Sequence, residues 1–281
     1  MSLVLESQKD FILNEFDTGK SVSEIAKQLN TRRNLVYNLV KKYRPNYHKP
    51  SQGNVHYFDC IDTYAKAYIV GFIAADGALV KPSRAGSSET LIITIKQEDA
   101  SVLEFIKSEI GNTHKLQTIE RPCSYNSNKI IHHKRYTLTN SYINNALHKL
   151  GIDNNKSTTM KNIITKIPEE FRDAFIIGYF DGDGSVSCRD GIFHCAHGDY
   201  PDWTLYVSIR GTKEFLTGIC EHLNITLTHI RQYDSIPTLS FASKKDVVRL
   251  YKCYNNLPFF YKRKHDVFLK RINHPSYDKY K

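Results

Sequence analysis

The 281-residue sequence contains no apolar run near the roughly 20 residues that a membrane-spanning helix requires. Its first ten residues also lack the layout of a secretory signal. Its six cysteines form no CxxC pair, and without a signal they indicate reduced thiols. Core-forming residues are not scarce, because 41% of the chain is hydrophobic. We therefore expect a soluble, intracellular protein of about two domains with no membrane partner.

Acidic residues are scarce in three tracts of the chain. Residues 26–50 contain seven Lys/Arg and no acid, and residues 121–149 contain five and no acid. Residues 244–281 contain eleven Lys/Arg against three acids, and the whole chain has a net charge of +10. A basic balance alone suits nucleic acids, acidic membranes and acidic proteins alike. Three separate basic tracts, each with Tyr or His, favour an extended phosphate-binding surface.

Residues 1–45 are predicted to form a small all-α domain. Ser23 is expected to cap one helix and Thr31 the next, with Asn30 in a left-handed turn between them. This spacing resembles a helix-turn-helix, although an ordinary helical hairpin used for packing is the alternative. Candidate DNA contacts at the start of the second helix are Arg32, Arg33 and Asn34.

Residues 46–58 are polar and contain Pro and Gly, which predicts an extended linker. The remainder contains an internal repeat. Residues 64–77 read YAKAYIVGFIAADG and residues 171–184 read FRDAFIIGYFDGDG, so that aromatic residues, Ala, Gly and Asp-Gly recur 107 residues apart. Similar alternating stretches and amphipathic helices follow each copy. We divide this region into repeats 59–157 and 158–281.

Each repeat is predicted to be helix, two strands, helix, two strands and helix. The fold class is therefore α+β, with two pseudo-symmetric αββαββα repeats beside the small helical domain. The repeats are expected to pair about a pseudo-twofold axis.

The two repeated helices are expected to end side by side. Small residues such as Gly71 and Gly178 permit close approach of the backbones. Asp76 and Asp183 would then be neighbours whose charges repel unless a cation neutralises them. Hard oxygen ligands with open positions suit Mg²⁺, which also contacts substrate phosphates. A plain helix stop at each Asp-Gly is the structural alternative.

The sequences IVGFIAADG, ending at Gly77, and IIGYFDGDG, ending at Gly184, resemble the LAGLIDADG motif of homing endonucleases. Two copies occur in the single-chain members of that family. The resemblance covers residues from about 60 to the end, including the connector from Gly151 to Ser157. It implies that the strands of the two repeats form a saddle over DNA. It also implies a monomeric, site-specific endonuclease acting on a long asymmetric double-stranded DNA site. It also implies that Asp76 and Asp183 hold Mg²⁺, for which Mn²⁺ is expected to substitute. The earlier acid of the motif is Asp181 in the second copy, whereas the first copy has Ala74 at this position.

The resemblance further implies basic or amide side chains near the metal. A residue at the end of the second strand would be Gln97, with its neighbour Lys96, in repeat one and Arg210 in repeat two. A lysine after the fourth strand would be Lys244 or Lys245 in repeat two, whereas repeat one has no lysine there. A simple phosphate contact is the alternative role for each basic residue.

Further candidate DNA contacts lie on or near the strands, without a division between base and phosphate contacts. They are Arg84, Lys129, Lys134, Arg135, Arg189, Arg231 and Tyr233. Solvated surface charge is the alternative for any one of them.

Three other interpretations stay open at this stage. A regulator could keep the fold and bind DNA without cutting, and a maturase could bind host intron RNA. A zinc site could use Cys188, His194, Cys195 and His197, but their spacing matches no usual zinc pattern. A DNA-facing hairpin is the preferred interpretation of that segment.

Overall fold

The computed structural model describes residues 7–18, 20–44, 53–81, 88–123, 126–189, 191–196, 198–202, 204–233 and 236–281. The chain divides into two compact units, Met1–Pro50 and Ser51–Lys281. Each unit is described separately below. Among the described residues, no helix is both long and apolar enough to cross a membrane.

Unit 1 consists of helices packed around one small core. Their bounds are α1 Lys9–Asp17, α2 Val22–Gln28 and α3 Arg33–Tyr43. Apolar residues from all three helices meet in the core: Ile12, Leu13, Val22, Ile25, Ala26, Val36, Leu39 and Val40. Asn30 lies in the turn between α2 and α3 with a φ of 48°, which confirms the expected left-handed conformation.

The two expected helix caps in unit 1 are corrected by the structure. Helix α2 is capped by Ser21, not Ser23, and Ser21 forms a reciprocal capping box with Glu24. Helix α3 begins at Arg33, and its N-cap residue Arg32 makes no side-chain capping bond. Thr31 therefore precedes the cap position, since the turn takes one residue more than the sequence suggested.

Unit 2 contains the two predicted repeats. The elements of repeat one are α4 Tyr64–Asp76, β1 Gly77–Val80, β2 Thr90–Lys96, α5 Ser101–Ile110, β3 Gln117–Cys123, β4 Asn126–Leu138 and α6 Ser141–Leu150. The short helix α7, Lys156–Thr159, lies in the connector. The elements of repeat two are α8 Arg172–Asp183, β5 Gly184–Cys188, β6 Gly191–Cys195, β7 Gly198–Asp202, β8 Leu205–Arg210, α9 Lys213–Leu223, β9 Ile230–Tyr233, β10 Ile236–Phe241, α10 Lys244–Lys252 and α11 Lys262–Ile272.

The two antiparallel sheets have the same topology. Strand order is β1-β2-β4-β3 in one and β5-β8-β10-β9 in the other, and β6 and β7 form a separate hairpin between β5 and β8. The predicted α+β order is thus confirmed in both repeats, with the hairpin and α11 as additions to the second.

Alternation of side chains sets which face of each sheet is covered. In β2, Leu91, Ile93 and Ile95 are buried, whereas the intervening residues are partly exposed. In β8, Leu205, Val207 and Ile209 are buried between more exposed neighbours. Because successive side chains point to opposite faces, each sheet has one face packed on the helices and one open face.

The two repeats share one continuous hydrophobic core, which extends from Tyr57 to Tyr277. The structure corrects the prediction that residues 46–58 form an extended linker. Val55, Tyr57 and Phe58 are buried in unit 2, and the hydroxyl of Tyr57 donates to Glu109 at 2.9 Å. Residues 53–58 are therefore part of the folded unit, while 46–52 lie outside the described residues.

Candidate functional site

The site begins with the close contact of α4 and α8. A Cβ atom added at Gly71 would lie 2.0 Å from the carbonyl oxygen of Phe175, and one added at Gly178 would lie 2.0 Å from that of Tyr68. These two contacts are related by the same 107-residue offset as the sequence repeat. Only glycine at both positions allows the two backbones to touch.

The contact continues to the ends of the two helices. A Cβ atom at Gly182 would lie 2.4 Å from Cβ of Ala75 and 3.2 Å from Oδ2 of Asp76. At this level the contact between the two helices has room for the methyl group of Ala75 but not for a second methyl group at residue 182. Asp76 and Asp183 are the last residues of α4 and α8. The helices thus bring the two predicted metal ligands to adjoining ends.

The two carboxyl groups are destabilised as anions. Loss of water around Asp76 and the nearby negative charge of Asp183 raise the pKa of Asp76 to about 6. Loss of water around Asp183 also raises the pKa of that carboxyl. Desolvation and like charge both favour the protonated acid, so the pair is better stabilised as two anions when a cation is bound between them.

Two lysines that the sequence analysis did not assign hold the ends of these helices. Lys156, in the connector, donates to the carbonyl oxygens of Ala74 at 2.7 Å and of Ala75. Lys264, at the start of α11, donates to the carbonyl oxygens of Phe180, Asp181 and Gly184 at 2.6 to 2.8 Å. Each ammonium group thus satisfies the unpaired carbonyl groups at the C-terminus of one motif helix.

Both lysines also act on the carboxyl groups. Lys156 and Lys264 each lower the pKa of Asp76 and of Asp183. Burial in turn lowers the pKa of each lysine to about 8, against the opposing effect of the nearby acids. The available sequence signal for Lys156 was its place in the connector, next to Asn155. For Lys264 there was no local signal, because it lies within the dense basic tract at the end of the chain.

The sheet register corrects the expectation that Lys244 or Lys245, after the fourth strand, lies near the metal ligands. Lys244 follows β10, in which Thr238 pairs with Arg210 and Phe241 pairs with Val207. The chain therefore runs away from the Asp183 end of the sheet, and the Lys244 Nζ lies 5.5 Å from the ring centroid of Tyr277. The register takes Lys245, the next residue, away from Asp183 in the same way.

Arg210 lies where its charge acts on the second aspartate. It is the last residue of β8, and its charge lowers the pKa of Asp183. The hydroxyl of Tyr179 donates to the carbonyl oxygen of Arg210 at 2.8 Å. The residue of repeat one that corresponds to Tyr179 is Phe72, which has no hydroxyl, so the surroundings of the two aspartates differ.

In repeat one, the segment that follows β2 places a negative charge, not a positive one, near Asp76. Lys96 ends β2 and Gln97 begins the short 3-10 helix that follows. The same turn carries Asp99, whose charge raises the pKa of Asp76. Arg263 of repeat two donates to both carboxylate oxygens of Asp99, at 2.8 and 2.9 Å. This two-point ion pair ties the segment of Gln97 to the start of α11.

Two of the predicted DNA contacts, Lys134 and Arg135, lie on opposite faces of the first sheet. Arg135 pairs with Thr94 and donates to its hydroxyl at 3.0 Å, which places Arg135 on the open face. Lys134 instead pairs with the buried Ile95 and donates to Thr118 at 2.8 Å. Lys134 therefore lies on the helix-covered face, contrary to its expected place among the DNA contacts, because adjacent strand residues face opposite ways.

The open face of the second sheet carries three arginines. Arg210 and Arg231 both pair with Thr238 and so share its face. Arg189 follows β5, and its guanidinium lies 5.8 Å from the ring of the exposed Tyr206. Several sequence candidates cannot be placed in this way. Arg84 lies outside the described residues, as do the side chains of Lys129, Tyr233, His194 and Cys195, and the whole of His197.

In unit 1, Arg32 and Asn34 are exposed at the start of α3. Arg33 is exposed as well, but its Nε donates to the hydroxyl of Ser23 at 2.9 Å. Arg33 therefore links α3 to α2, a contact that the sequence analysis did not anticipate.

The donor set at the aspartate pair suits a hard divalent cation. No group of three or more His, Cys, Asp or Glu side chains with metal-binding geometry occurs among the described residues. Asp76 and Asp183 would thus supply few protein ligands. This fits Mg²⁺, which retains waters and takes the rest of its ligands from substrate phosphate.

No family model and no curated protein sequence matches the chain. Solved structures do. The structure of the homing endonuclease I-WcaI bound to its DNA recognition sequence has a TM-score of 0.52 and 15% identity, and it covers 82% of this chain and 92% of that one. The LAGLIDADG homing endonuclease I-SmaMI bound to cleaved DNA has a TM-score of 0.48 and 12% identity, with coverages of 73% and 87%. The LAGLIDADG meganuclease I-CpaMI bound to uncleaved DNA has a TM-score of 0.46 and 12% identity, with coverages of 73% and 89%. The likeness to I-WcaI confirms the predicted fold: the chain has the two-repeat fold of the LAGLIDADG homing endonucleases.

Proposed function

We propose that the chain is a site-specific, double-strand DNA endonuclease that uses Asp76 and Asp183 to hold Mg²⁺. The observation that carries the proposal is the pair of carboxyl groups at the adjoining ends of α4 and α8, coupled by charge and raised in pKa. A helix stop alone would not require two glycine contacts that bring two acids together. The DNA-bound state of I-WcaI, which has the same fold, supports duplex DNA as the substrate class.

The residues around the pair are suited to phosphodiester hydrolysis. Bound Mg²⁺ would supply Lewis-acid stabilisation of the leaving oxygen and lower the pKa of the attacking water. Lys156 and Lys264 hold both helix ends in place and favour the ionised form of the aspartates. Arg210 adds positive charge beside Asp183, where the negative charge of a scissile phosphate would enter.

The open faces of the two sheets are proposed to contact the DNA on either side of the site. Arg135 in repeat one and Arg189, Arg210 and Arg231 in repeat two lie on these faces. Positive side chains on both sheets would neutralise phosphates along an extended target. Because the side chains of the two sheets differ, the target is expected to be asymmetric.

The test is cleavage of a randomised duplex DNA library by the full chain in Mg²⁺, with sequencing of the cut ends. The wild type should cut both strands at an enriched site, and Mn²⁺ should replace Mg²⁺. Asp76→Asn and Asp183→Asn should each abolish double-strand cleavage and leave binding in EDTA largely intact. Asp10→Asn is the matched control, because its side chain is 95% exposed on α1. Wild-type cleavage by either motif variant would show that the metal ligands are wrongly assigned.

A further inference from the structure

We propose that the exposed face of α3 in unit 1 is a separate DNA-reading surface that recognises adenine through Asn34 and Asn38. These residues are one helical turn apart, and both are exposed. The opposite face of α3 is buried through Val36, Leu39 and Val40. The helix is thus fixed by its apolar side and presents two amide groups on the other.

The two amide groups are available to a ligand. Among the described residues, neither Asn34 nor Asn38 forms a side-chain hydrogen bond. An asparagine amide has a donor and an acceptor side by side, and so can bind N6 and N7 of an adenine together. Because one turn of helix separates the two side chains, they can reach neighbouring base pairs.

The charge around this face favours a polyanion. No Asp or Glu occurs between Ile25 and Phe58. The acids nearest in sequence are already used: Glu24 in the α2 capping box, Asp17 in an ion pair with Arg44. Arg32 is exposed beside the amides and is suited to a phosphate contact. A phosphate backbone therefore meets no repelling carboxylate on this helix.

Arg33 has a different role from the one its position suggests. Its Nε donates to Ser23 on α2, so the guanidinium is held against the neighbouring helix. It is a positioning residue that helps to fix the angle between α2 and α3. The base-reading side chains are Asn34 and Asn38, and adenine is the expected base.

Duplex DNA fits this face better than duplex RNA does. The major groove of B-form DNA is about 12 Å wide and admits a helix, whereas that of A-form RNA is too narrow for side chains to read. Asn34 and Asn38 can contact base edges only if α3 enters the major groove. The surface is carried by unit 1 alone, so the inference does not depend on cleavage by unit 2.

The experiment enriches bound duplexes from a randomised DNA library with the full chain in EDTA, so that cleavage has no influence. The wild type should enrich a block that contains fixed A·T pairs. The variant Asn34→Ala/Asn38→Ala should lose the preference at those pairs, by roughly 5- to 150-fold for each adenine contact, and keep any other enriched block. Asn14→Ala, an exposed amide on α1, is the matched control and should retain both.

A second measurement separates base reading from general attraction. Arg32→Ala should weaken binding to all duplexes alike and reduce the salt slope by about one. Enrichment of the A·T block by the double Asn variant, absence of such a block with the wild type, or equal competition by duplex RNA would each overturn the proposal. Circular dichroism of each variant should match the wild type, because the changed side chains are exposed.

Discussion

The hydroxyl of Tyr68 on α4 donates to a carboxylate oxygen of Asp181 on α8 at 2.8 Å, across the interface of the two repeats. The same oxygen accepts the backbone N–H of Tyr261 at 2.7 Å. At the symmetry-related place, Phe175 and Ala74 occupy the corresponding positions. The repeats thus differ by a complementary change: one side of the interface has a buried polar pair where the other has an apolar pair.

This pair gives the first prediction. Tyr68→Phe should lower the free energy of unfolding by about 1–3 kcal/mol, because Asp181 loses a donor in a buried position. Asp181→Ala should cost at least as much, since both the Tyr68 hydroxyl and the Tyr261 N–H lose their acceptor. The double variant should cost less than the sum, with a coupling of about 1–2 kcal/mol in denaturant unfolding. Additive costs would show that the hydrogen bond contributes little. Tyr142→Phe, at an exposed tyrosine, should change stability by less than about 0.5 kcal/mol.

A second prediction concerns the glycine contacts of α4 and α8. Gly71→Ala and Gly178→Ala should each lower the free energy of unfolding by about 3 kcal/mol or more, because the new methyl group meets backbone atoms that cannot rotate away. Gly211→Ala is a matched control: its nearest atom is a side-chain carbon of Phe215 at 2.9 Å. It should cost less. Equal costs at Gly211 and Gly71 in chemical denaturation would contradict the importance of backbone contact.

The third prediction concerns Lys156 and Lys264. Lys156→Met and Lys264→Met should each lower stability by about 1–3 kcal/mol, since buried carbonyl groups at a helix end lose their donor. On the proposed function, each should also slow single-turnover DNA cleavage at least tenfold while binding in EDTA persists. Lys262→Met changes an exposed lysine at the start of α11 and should do neither. Wild-type cleavage by Lys156→Met would confine this lysine to a structural role.

The fourth prediction concerns the pH dependence of stability through His148. Partial burial lowers the pKa of this ring, but hydrogen bonds to Asp153 and Glu89 outweigh that effect and raise it above its ordinary value. The two ring nitrogens lie 2.6 Å from these carboxylates, so the charged ring can donate to both. A raised pKa means that the stabilisation is fully present below about pH 6.5 and is lost as the pH rises through the raised value.

The measurement is the free energy of unfolding of His148→Gln against the wild type from pH 5.5 to 9. The loss should be largest at the acidic end, about 1–2 kcal/mol, and should shrink toward alkaline pH. His114→Gln, at an exposed histidine, should cost less than about 0.5 kcal/mol. A loss at His148 that stays constant over this range would mean that ionisation of the ring does not contribute.

Much of the fold and one part of the site could be read from the sequence. The repeat at 107 residues predicted two copies of one αββαββα unit, and Gly71, Gly178, Asp76 and Asp183 fell at matching places in both. These features follow from local pattern: glycine removes the Cβ atom that would separate two helices, and a common offset brings like residues to one axis.

Other assignments required the register of the strands. Lys134 and Arg135 are neighbours in sequence with the same charge, yet only Arg135 faces the open side of its sheet. A shift of one residue reverses every side chain of a strand, so composition alone does not distinguish the two. The displacement of Lys244 from the aspartates has the same origin, since it depends on which end of β10 meets Arg210.

By itself, the sequence determined the repeat, the close helix pair, the two acids at its ends and the basic character of the chain, because each is written in residue type and spacing. Only the tertiary structure decided that Lys156 and Lys264 hold the helix ends, that Arg33 is tied to Ser23 and that Arg263 is paired with Asp99. These contacts join residues that are far apart in the chain or face each other across a turn. Their partners are chosen by the packing of the whole unit, for which no local pattern exists.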